Sequence, residues 1–332
     1  MIKSKGFNMS GKIILPQSLT GKTVLIAGAA GFVPSHVAEL YLELGAKVIG
    51  LDNFITGSKS NVEKLSKYDN YEFIECNVYE NLPDFKGVDI DYIFSLASPA
   101  SPIDFKKIPM EIYHVNTEGT RRLLELSLEK KARFLEASTS EVYGDPEVHP
   151  QPESYLGAVN TLGPRAIYDE SKRMAETLTS TYQRLYGADT RIIRIFNTYG
   201  PGMRANDGRV IPNFINQAMN NEDVTVYGDG SQTRSFCFVS DLVNAIHTVM
   251  FSDDPTPFNC GNPDEYSIID CAKEIIKVLG SESKIIYKDL PEDDPKQRRP
   301  VLDKLQSVSD YQPQVGFEEG IKRTAEYFKS IQ

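Results

Sequence analysis

The feature that most constrains the fold of this chain is a regular alternation of short apolar runs with helical patterns over its first 197 residues. The runs have few polar positions and are rich in β-branched and aromatic residues, which predicts strands buried on both faces. They lie at residues 23–28, 47–52, 71–76, 91–97, 132–138 and 190–197. Helical patterns with apolar residues three to four apart lie between them, at residues 35–45, 116–131 and 171–187, and two of the three stop at a glycine. This order predicts an α/β fold with a doubly wound parallel sheet of the Rossmann type.

The rhythm becomes irregular after residue 197, where segments rich in Gly, Asn, Asp and Pro begin. We therefore assign residues 21–197 mainly to the Rossmann domain and residues 198–332 mainly to a smaller substrate-binding lobe, with some exchange of chain between the lobes. Residues 1–20 are interpreted as a leader, whose apolar core "IIL" is too short for a signal peptide. A cytoplasmic location is expected.

Composition excludes several classes of function. The net charge is −10 over 332 residues, which argues against a nucleic-acid binder because such proteins need a basic face. No run approaches the ~20 apolar residues of a membrane helix, so no membrane association is expected. The four cysteines form no CxxC pair and the four histidines no HExxH motif, so neither disulfides nor a metal site are expected.

A glycine-rich turn follows the first predicted strand, in the stretch "AGAAGFVPSH". Gly28 permits a tight turn, and Gly31 allows a pyrophosphate to approach the N–H groups of Phe32 and Val33 at the start of the next helix. Pro34 stands where the dinucleotide-binding pattern has its third glycine. Because N–H groups of a first helical turn have no internal partner, the proline alters the turn without costing a helical hydrogen bond.

The second predicted strand ends at Asp52, twenty-four positions after Gly28. A carboxylate there suits the hydroxyls of an adenosine ribose and repels a 2'-phosphate, which favours NAD over NADP as the cofactor. The alternative is an ordinary glycine turn that caps a helix, followed by a loop aspartate.

Tyr168 and Lys172 are four residues apart, so they share one face of a helix. An ammonium beside a phenol lowers the phenol's pKa, and the tyrosinate can then take a proton from a sugar hydroxyl. Thr139, at the end of a predicted strand, adds a hydroxyl partner. Alone, such a Tyr–Lys pair is most often a surface pair, and the threonine reverses that expectation.

Longer segments show a resemblance to a known family. In chain order they are "DNFITGSKSNV", "LASPASP", "ASTSEVYGDPEVHPQ", "YDESKRMAE", "RIFNTYGP", "NDGRV", "VYGDGSQTRSF", "VSDLV" and "DDPKQRRP". Across roughly residues 22–330 the chain resembles the extended short-chain dehydrogenases/reductases, and closely the UDP-glucuronate decarboxylases that make UDP-xylose. The resemblance implies a lyase of nucleotide-sugar metabolism that keeps NAD tightly bound and acts on UDP-glucuronate.

The resemblance also implies roles for individual residues. The catalytic set would be Thr139, Glu141, Tyr168, Lys172 and Arg234. Cofactor contacts would come from Gly28, Gly31, Phe32, Val33, Asp52, Asn53, Asn77, Val78, Leu96, Ala97, Asn116, Tyr168 and Lys172. Substrate contacts would come from Ser140, Asn197, Arg209, Tyr227, Gln232, Arg234 and Arg298. The helices that end near residues 131 and 187 would form a homodimer interface.

The chemistry is consistent with these residues. Oxidation of a glucuronate at C4 turns its C6 carboxylate into that of a β-keto acid, which loses CO₂; protonation and the return of hydride then give a pentose. Arg234 is the candidate cation for the carboxylate. A nucleotide-sugar 4-epimerase is the main alternative, because it needs the same oxidation. A 4,6-dehydratase is less favoured, since Ser140 stands where such enzymes usually have an aspartate. The remaining hypothesis is a non-catalytic NAD-binding protein.

Overall fold

A parallel sheet of seven strands organises the chain. The computed structural model describes residues 13, 15–290 and 295–331, so the predicted leader lies largely outside the described residues. In the first 200 residues the elements are β1 (Thr23–Ala27), α1 (Phe32–Glu43), β2 (Lys47–Asp52), α2 (Lys59–Leu65), β3 (Tyr71–Glu75), β4 (Tyr92–Ser95), α3 (Pro102–Phe105), α4 (Pro109–His114), a π-helical turn (Val115–Gly119), α5 (Thr120–Lys130), β5 (Arg133–Thr139), a 3₁₀ turn (Ser140–Tyr143), α6 (Ala166–Tyr186), β6 (Thr190–Ile195) and β7 (Thr198–Tyr199).

The remaining elements include helices that return to the main sheet. They are α7 (Val210–Met219), β8 (Val224–Tyr227), β9 (Thr233–Ser235), β10 (Cys237–Phe238), α8 (Val239–Met250), β11 (Phe258–Cys260), β12 (Glu265–Ser267), α9 (Ile268–Leu279), β13 (Ile285–Lys288), β14 (Gln297–Arg298), α10 (Asp303–Val308) and α11 (Phe317–Ser330).

The strand order of the main sheet is β11-β6-β5-β4-β1-β2-β3, and every pairing is parallel. The order reverses between β1 and β4, which is the switch point of a doubly wound sheet. The predicted fold class is confirmed. The smaller groups of strands, β10-β7, β12-β9-β14 and β13-β8, all use chain beyond residue 197.

Successive residues of β1 belong alternately to two apolar cores, as expected for a strand with helices on both sides. Val24 and Ile26 belong to an apolar core that includes residues of α1 and α8, whereas Leu25 and Ala27 belong to a second core with residues of α5. The prediction of two buried faces is wrong for β3. That strand lies at one edge of the sheet, and its residues are half-buried or exposed, whereas β11 at the other edge is buried.

One strand of the main sheet, β11, comes from beyond residue 197. β11 pairs with β6, with Phe258 opposite Ile193. α8 leads to it and packs on α1 and β6. The main sheet thus contains one strand from beyond residue 197, while the division into two lobes with exchange of chain between them stays a prediction.

Candidate active site

A cavity of about 850 Å³ opens at the carboxyl ends of β1, β4 and β5, beside the switch point of the sheet. Ligands of open α/β sheets bind at this place because the loops after the strands diverge there. Most predicted site residues line it: Gly28, Gly31, Phe32, Val33, Asp52, Asn53, Asn77, Val78, Leu96, Ala97, Thr139, Ser140, Glu141, Tyr168, Lys172, Asn197, Arg209, Tyr227 and Arg234.

The glycine-rich turn is held tightly against the neighbouring strand. Gly28 has φ of +84°, and a Cβ there would lie 2.7 Å from the Cα of Ala97. The N–H of Gly31 donates to the carbonyl oxygen of Gly28 at 2.8 Å, which closes the turn. α1 then begins at Phe32. Pro34 is the third residue of the helix, a position whose N–H has no intrahelical acceptor, as the sequence predicted.

Asp52 stands at the carboxyl end of β2 with its carboxylate held by the backbone. The N–H of Ala30 donates to Oδ2 at 3.1 Å, and that of Phe54 donates to Oδ1 at 2.7 Å. Burial raises the pKa of Asp52, and these N–H groups act against the rise. The carboxylate is thus tied to the glycine-rich turn through Ala30.

Thr139 and Tyr168 come together from β5 and α6. Both are nearly buried, at 8% and 4% exposure, and both line the cavity. The Tyr168 ring stacks on Phe105 with centroids 4.7 Å apart. Burial raises the pKa of the Tyr168 phenol, and a hydrogen bond with the Thr139 side chain acts against the rise. Thr139 therefore touches the phenol as the sequence predicted.

The position of Lys172 differs from the expectation that its ammonium lowers the pKa of Tyr168. Its Nζ donates to the carbonyl oxygen of Ala137 at 2.7 Å and lies 3.4 Å from Oε1 of Glu136. Glu136 is fully buried in β5 and pairs with the ammonium from within the protein. Burial is the largest influence on the phenol and raises the pKa of Tyr168, and the charges of Glu141 and Asp169 act in the same direction.

Glu141 lies between two guanidinium groups. Nη2 of Arg165 is 2.6 Å from Oε2, and Nη1 of Arg298 is 3.2 Å from Oε1. Burial acts to raise the pKa of Glu141, but Arg298 and Arg165 outweigh it and hold the pKa at about 2. Glu141 is therefore a carboxylate at every physiological pH.

Two further arginines border the cavity. Arg209 makes a forked ion pair with the buried Asp207, with Nη2 2.9 Å from Oδ2. Arg234, in β9, donates to the carbonyl oxygens of Thr233 and Pro295 at 2.8 and 2.6 Å. Both cations are thus fixed before any substrate arrives.

Three predicted site residues lie behind the cavity wall. Arg298 is 1% exposed and donates to Ser140 Oγ at 3.0 Å as well as to Glu141. Gln232 donates to the Tyr227 carbonyl oxygen at 3.0 Å. Asn116, in the π-helical turn, donates to Ser171 Oγ at 2.9 Å. Arg298 and Gln232 thus contact residues that line the cavity, whereas Asn116 contacts Ser171, which is not among the lining residues.

Glu136, Arg165 and Asp169 lie at the site but were not predicted from the sequence. Arg165 and Asp169 flank Tyr168, three residues before and one after it, so spacing on the helix was an available signal. Glu136 had a weaker signal, namely a single carboxylate in an apolar strand. Only the packing of α6 on β5 brings it to Lys172.

Two features are absent from the described residues, a cluster of metal ligands and a membrane-spanning helix. Across residues 15–290 and 295–331, no group of three or more His, Cys, Asp or Glu side chains is arranged to hold a metal ion. Within the same part of the chain, no helix combines the length and apolarity needed to cross a bilayer.

Comparison with known proteins decides the family. A sequence model of the NAD dependent epimerase/dehydratase family matches residues 24–261. The chain belongs to this family. Members of the family that resemble it include UDP-glucuronic acid decarboxylase 1 of Xenopus tropicalis, 47% identical over 93% of this chain and 72% of that protein. UDP-glucuronic acid decarboxylase 2 of Arabidopsis thaliana is 43% identical over 96% of this chain and 71% of that protein.

Solved structures of epimerases share the fold of this family member. UDP-glucuronic acid 4-epimerase from Bacillus cereus, in complex with UDP-glucuronic acid and NAD, has a TM-score of 0.84 and 26% identity, over 93% of this chain and 100% of that chain. UDP-glucose 4-epimerase from Thermotoga maritima, with UDP-glucose, has a TM-score of 0.85 and 27% identity, over 93% of this chain and 99% of that chain.

Proposed function

We propose that this protein converts UDP-glucuronate to UDP-xylose and CO₂, with NAD bound and regenerated in each cycle. The observation that carries the proposal is one cavity that joins a glycine-rich turn, a Thr–Tyr–Lys set and fixed arginines. The relatives named UDP-glucuronic acid decarboxylase, at 42–47% identity, support decarboxylation as the outcome.

The residues around the glycine-rich turn fit NAD. A Cβ at Gly28 or Gly31 would lie 2.7 Å or 3.0 Å from a backbone atom, so only glycine keeps the turn this compact beside the start of α1. The carboxylate of Asp52 would accept from ribose hydroxyls. The remaining proposed cofactor contacts are Phe32, Val33, Asn53, Asn77, Val78, Leu96 and Ala97, which line the same end of the cavity. When bound, NAD⁺ supplies a hydride acceptor for C4 of the sugar.

Tyr168 acts as the base in the first step of the proposed mechanism. It takes the proton of the C4 hydroxyl as C4 is oxidised, and Thr139 holds that oxygen by hydrogen bonding. Burial of the phenol favours its neutral form at rest, so Tyr168 must be ionised by its surroundings in the loaded site. Lys172 supplies the positive charge for this ionisation, and Glu136 limits how much of that charge reaches the phenol.

The second step breaks the bond between C5 and C6. Its electron pair moves into an enolate stabilised by the C4 oxygen, and the carboxylate leaves as CO₂. Arg234 would orient the carboxylate, since its guanidinium is fixed by two carbonyl oxygens at the cavity wall. Glu141 and Ser140 would contact the sugar, and Asn197, Arg209 and Tyr227 the nucleotide and diphosphate.

A homodimer and a cytoplasmic location also remain proposals. Of the two helices predicted to form the interface, α6 presents exposed apolar side chains at Met174, Leu185 and Tyr186, which supports a helical interface. The neighbouring α4 adds exposed Met110 and Tyr113. Light scattering of the purified chain would give its oligomeric state.

Incubation with UDP-glucuronate and NAD tests the proposal. We expect a nucleotide sugar lighter by CO₂, with no net reduction of NAD. An isomer of unchanged mass and inverted C4 would instead establish a 4-epimerase, the activity named for a structural neighbour at 26% identity. No turnover of any nucleotide sugar would leave the chain as an NAD-binding protein.

A further inference from the structure

Decarboxylation consumes one proton, and the two proposed steps do not supply it. The C6 carboxylate leaves as uncharged CO₂, and C5 keeps the electron pair and takes up one proton. The proton that Tyr168 takes from the C4 hydroxyl is returned to the C4 oxygen when C4 is reduced again. One proton per turnover must therefore come from solvent.

A second, smaller cavity of about 90 Å³ lies beside the main one. Glu141, Arg165 and Pro295 line both cavities. Its other lining residues are Gly144, Asp145, Ala158, Asn160 and Asp169, of which Asp145, Ala158 and Asn160 are exposed. The small cavity thus extends from the surface to the back of the proposed sugar site, and it has room for at least one water molecule.

Asp169 lines this cavity and is 6% exposed. Its Oδ1 has no hydrogen-bond partner among the residues that the structure describes. Burial and the charge of Glu141 raise the pKa of Asp169 to about 7, with a smaller contribution from Glu170, while Arg165 and Arg298 act to lower it. Asp169 can therefore hold and release a proton near neutral pH, whereas Glu141, with its pKa at about 2, stays ionised.

We propose that the small cavity and Asp169 form the route by which a solvent proton reaches the sugar site for transfer to C5. Asp169 passes its proton toward the main cavity, at the boundary lined by Glu141 and Arg165. It then takes a new proton from water that enters past Asp145 and Asn160. This inference rests on the proposed decarboxylation. Asp169 acts through water and is a positioning and relay residue.

Rapid mixing of the NAD-loaded protein with UDP-glucuronate, in H₂O and in D₂O, tests the route. The absorbance of reduced nicotinamide rises when C4 is oxidised and falls when C4 is reduced again after protonation at C5. In Asp169→Asn we expect the rise to be unchanged and the fall to slow about tenfold or more, with a larger solvent isotope effect. Asp169→Glu, which keeps a carboxyl, should restore most of the rate.

The control is Glu318→Gln in α11, whose exposed carboxylate pairs with Lys322. It should behave as the wild type. If the absorbance of reduced nicotinamide falls as fast in Asp169→Asn as in the wild type, the route is wrong. An equal slowing of the rise and the fall would also overturn it, since Asp169 would then act on the oxidation step through Tyr168. Failure of the wild type itself to release CO₂ would reject the proposed function instead.

Discussion

Lys172 and Glu136 form an ion pair that is closed off from solvent, with Nζ 3.4 Å from Oε1 and both side chains at most 4% exposed. The carboxylate also lies 3.4 Å from Thr120 Oγ1. Burial raises the pKa of Glu136, and Lys172 acts against that rise. A proposed catalytic ammonium thus has its counter-charge inside the protein, behind the cavity.

Replacement of Glu136 by Gln should shift the pH dependence of turnover. Loss of the negative charge leaves the ammonium of Lys172 uncompensated, which favours the ionised phenol and lowers the pKa of Tyr168. The acidic limb of the pH–rate profile should therefore move to lower pH by on the order of one unit. Asp241→Asn, which changes a buried carboxylate that accepts from the Val315 N–H, is the control and should leave the profile in place. A shift to higher pH would contradict the electrostatic role.

Tyr168→Phe should fold and bind NAD but lose on the order of 10² to 10⁴ in turnover, because the variant has no group to exchange the C4 proton. Tyr186→Phe, on an exposed position of the same helix, serves as the control. Steady-state rates and NAD titration measure the two effects separately. Near-normal turnover would remove Tyr168 from the mechanism.

Arg234→Leu should impair decarboxylation and leave NAD affinity nearly unchanged, since the guanidinium lies in β9, away from the glycine-rich turn. Release of CO₂ and cofactor titration are the measurements, with the exposed Arg323→Leu as control. An equal fall in NAD affinity would assign Arg234 to the cofactor site or to the fold.

Pro34→Gly should melt slightly lower, because glycine frees the unfolded chain by an entropy worth ~0.4–1 kcal/mol. The N–H groups of Phe32 and Val33 remain in place at the start of α1. NAD affinity should therefore change by less than about tenfold, or ~1.4 kcal/mol. Titration of cofactor-stripped wild type and variant with NAD checks this. If only the glycine variant binds NAD, the proline closes the site.

Gly28→Ala should destabilise the protein more than Gly21→Ala. Both glycines have a positive φ, +84° and +79°, but only the Cβ at position 28 would meet backbone, 2.7 Å from the Cα of Ala97. Gly21 faces open space, so its variant carries the cost of the dihedral alone. Thermal melting of the two variants separates close approach from strain. Equal losses would mean that the contact with Ala97 relaxes at no cost.

The sequence by itself determined the features that depend on neighbours along the chain. The strand at residues 47–52 has the predicted bounds, and Asp52 ends it. The glycine-rich turn precedes α1, and Tyr168 and Lys172 share α6 because four residues make about one helical turn. Local periodicity and turn chemistry are sufficient for these predictions.

Only the tertiary structure decided which distant residues meet. Arg298 and Glu141 are 157 positions apart in the sequence, and only the fold brings Nη1 of Arg298 to 3.2 Å from Oε1 of Glu141. Packing of α6 on β5 places Glu136 against Lys172 and buries the phenol of Tyr168, and this burial raises the pKa of Tyr168 where the sequence predicted a lower one. Electrostatic effects depend on distance and burial, and both are set by how the elements pack rather than by their order in the chain.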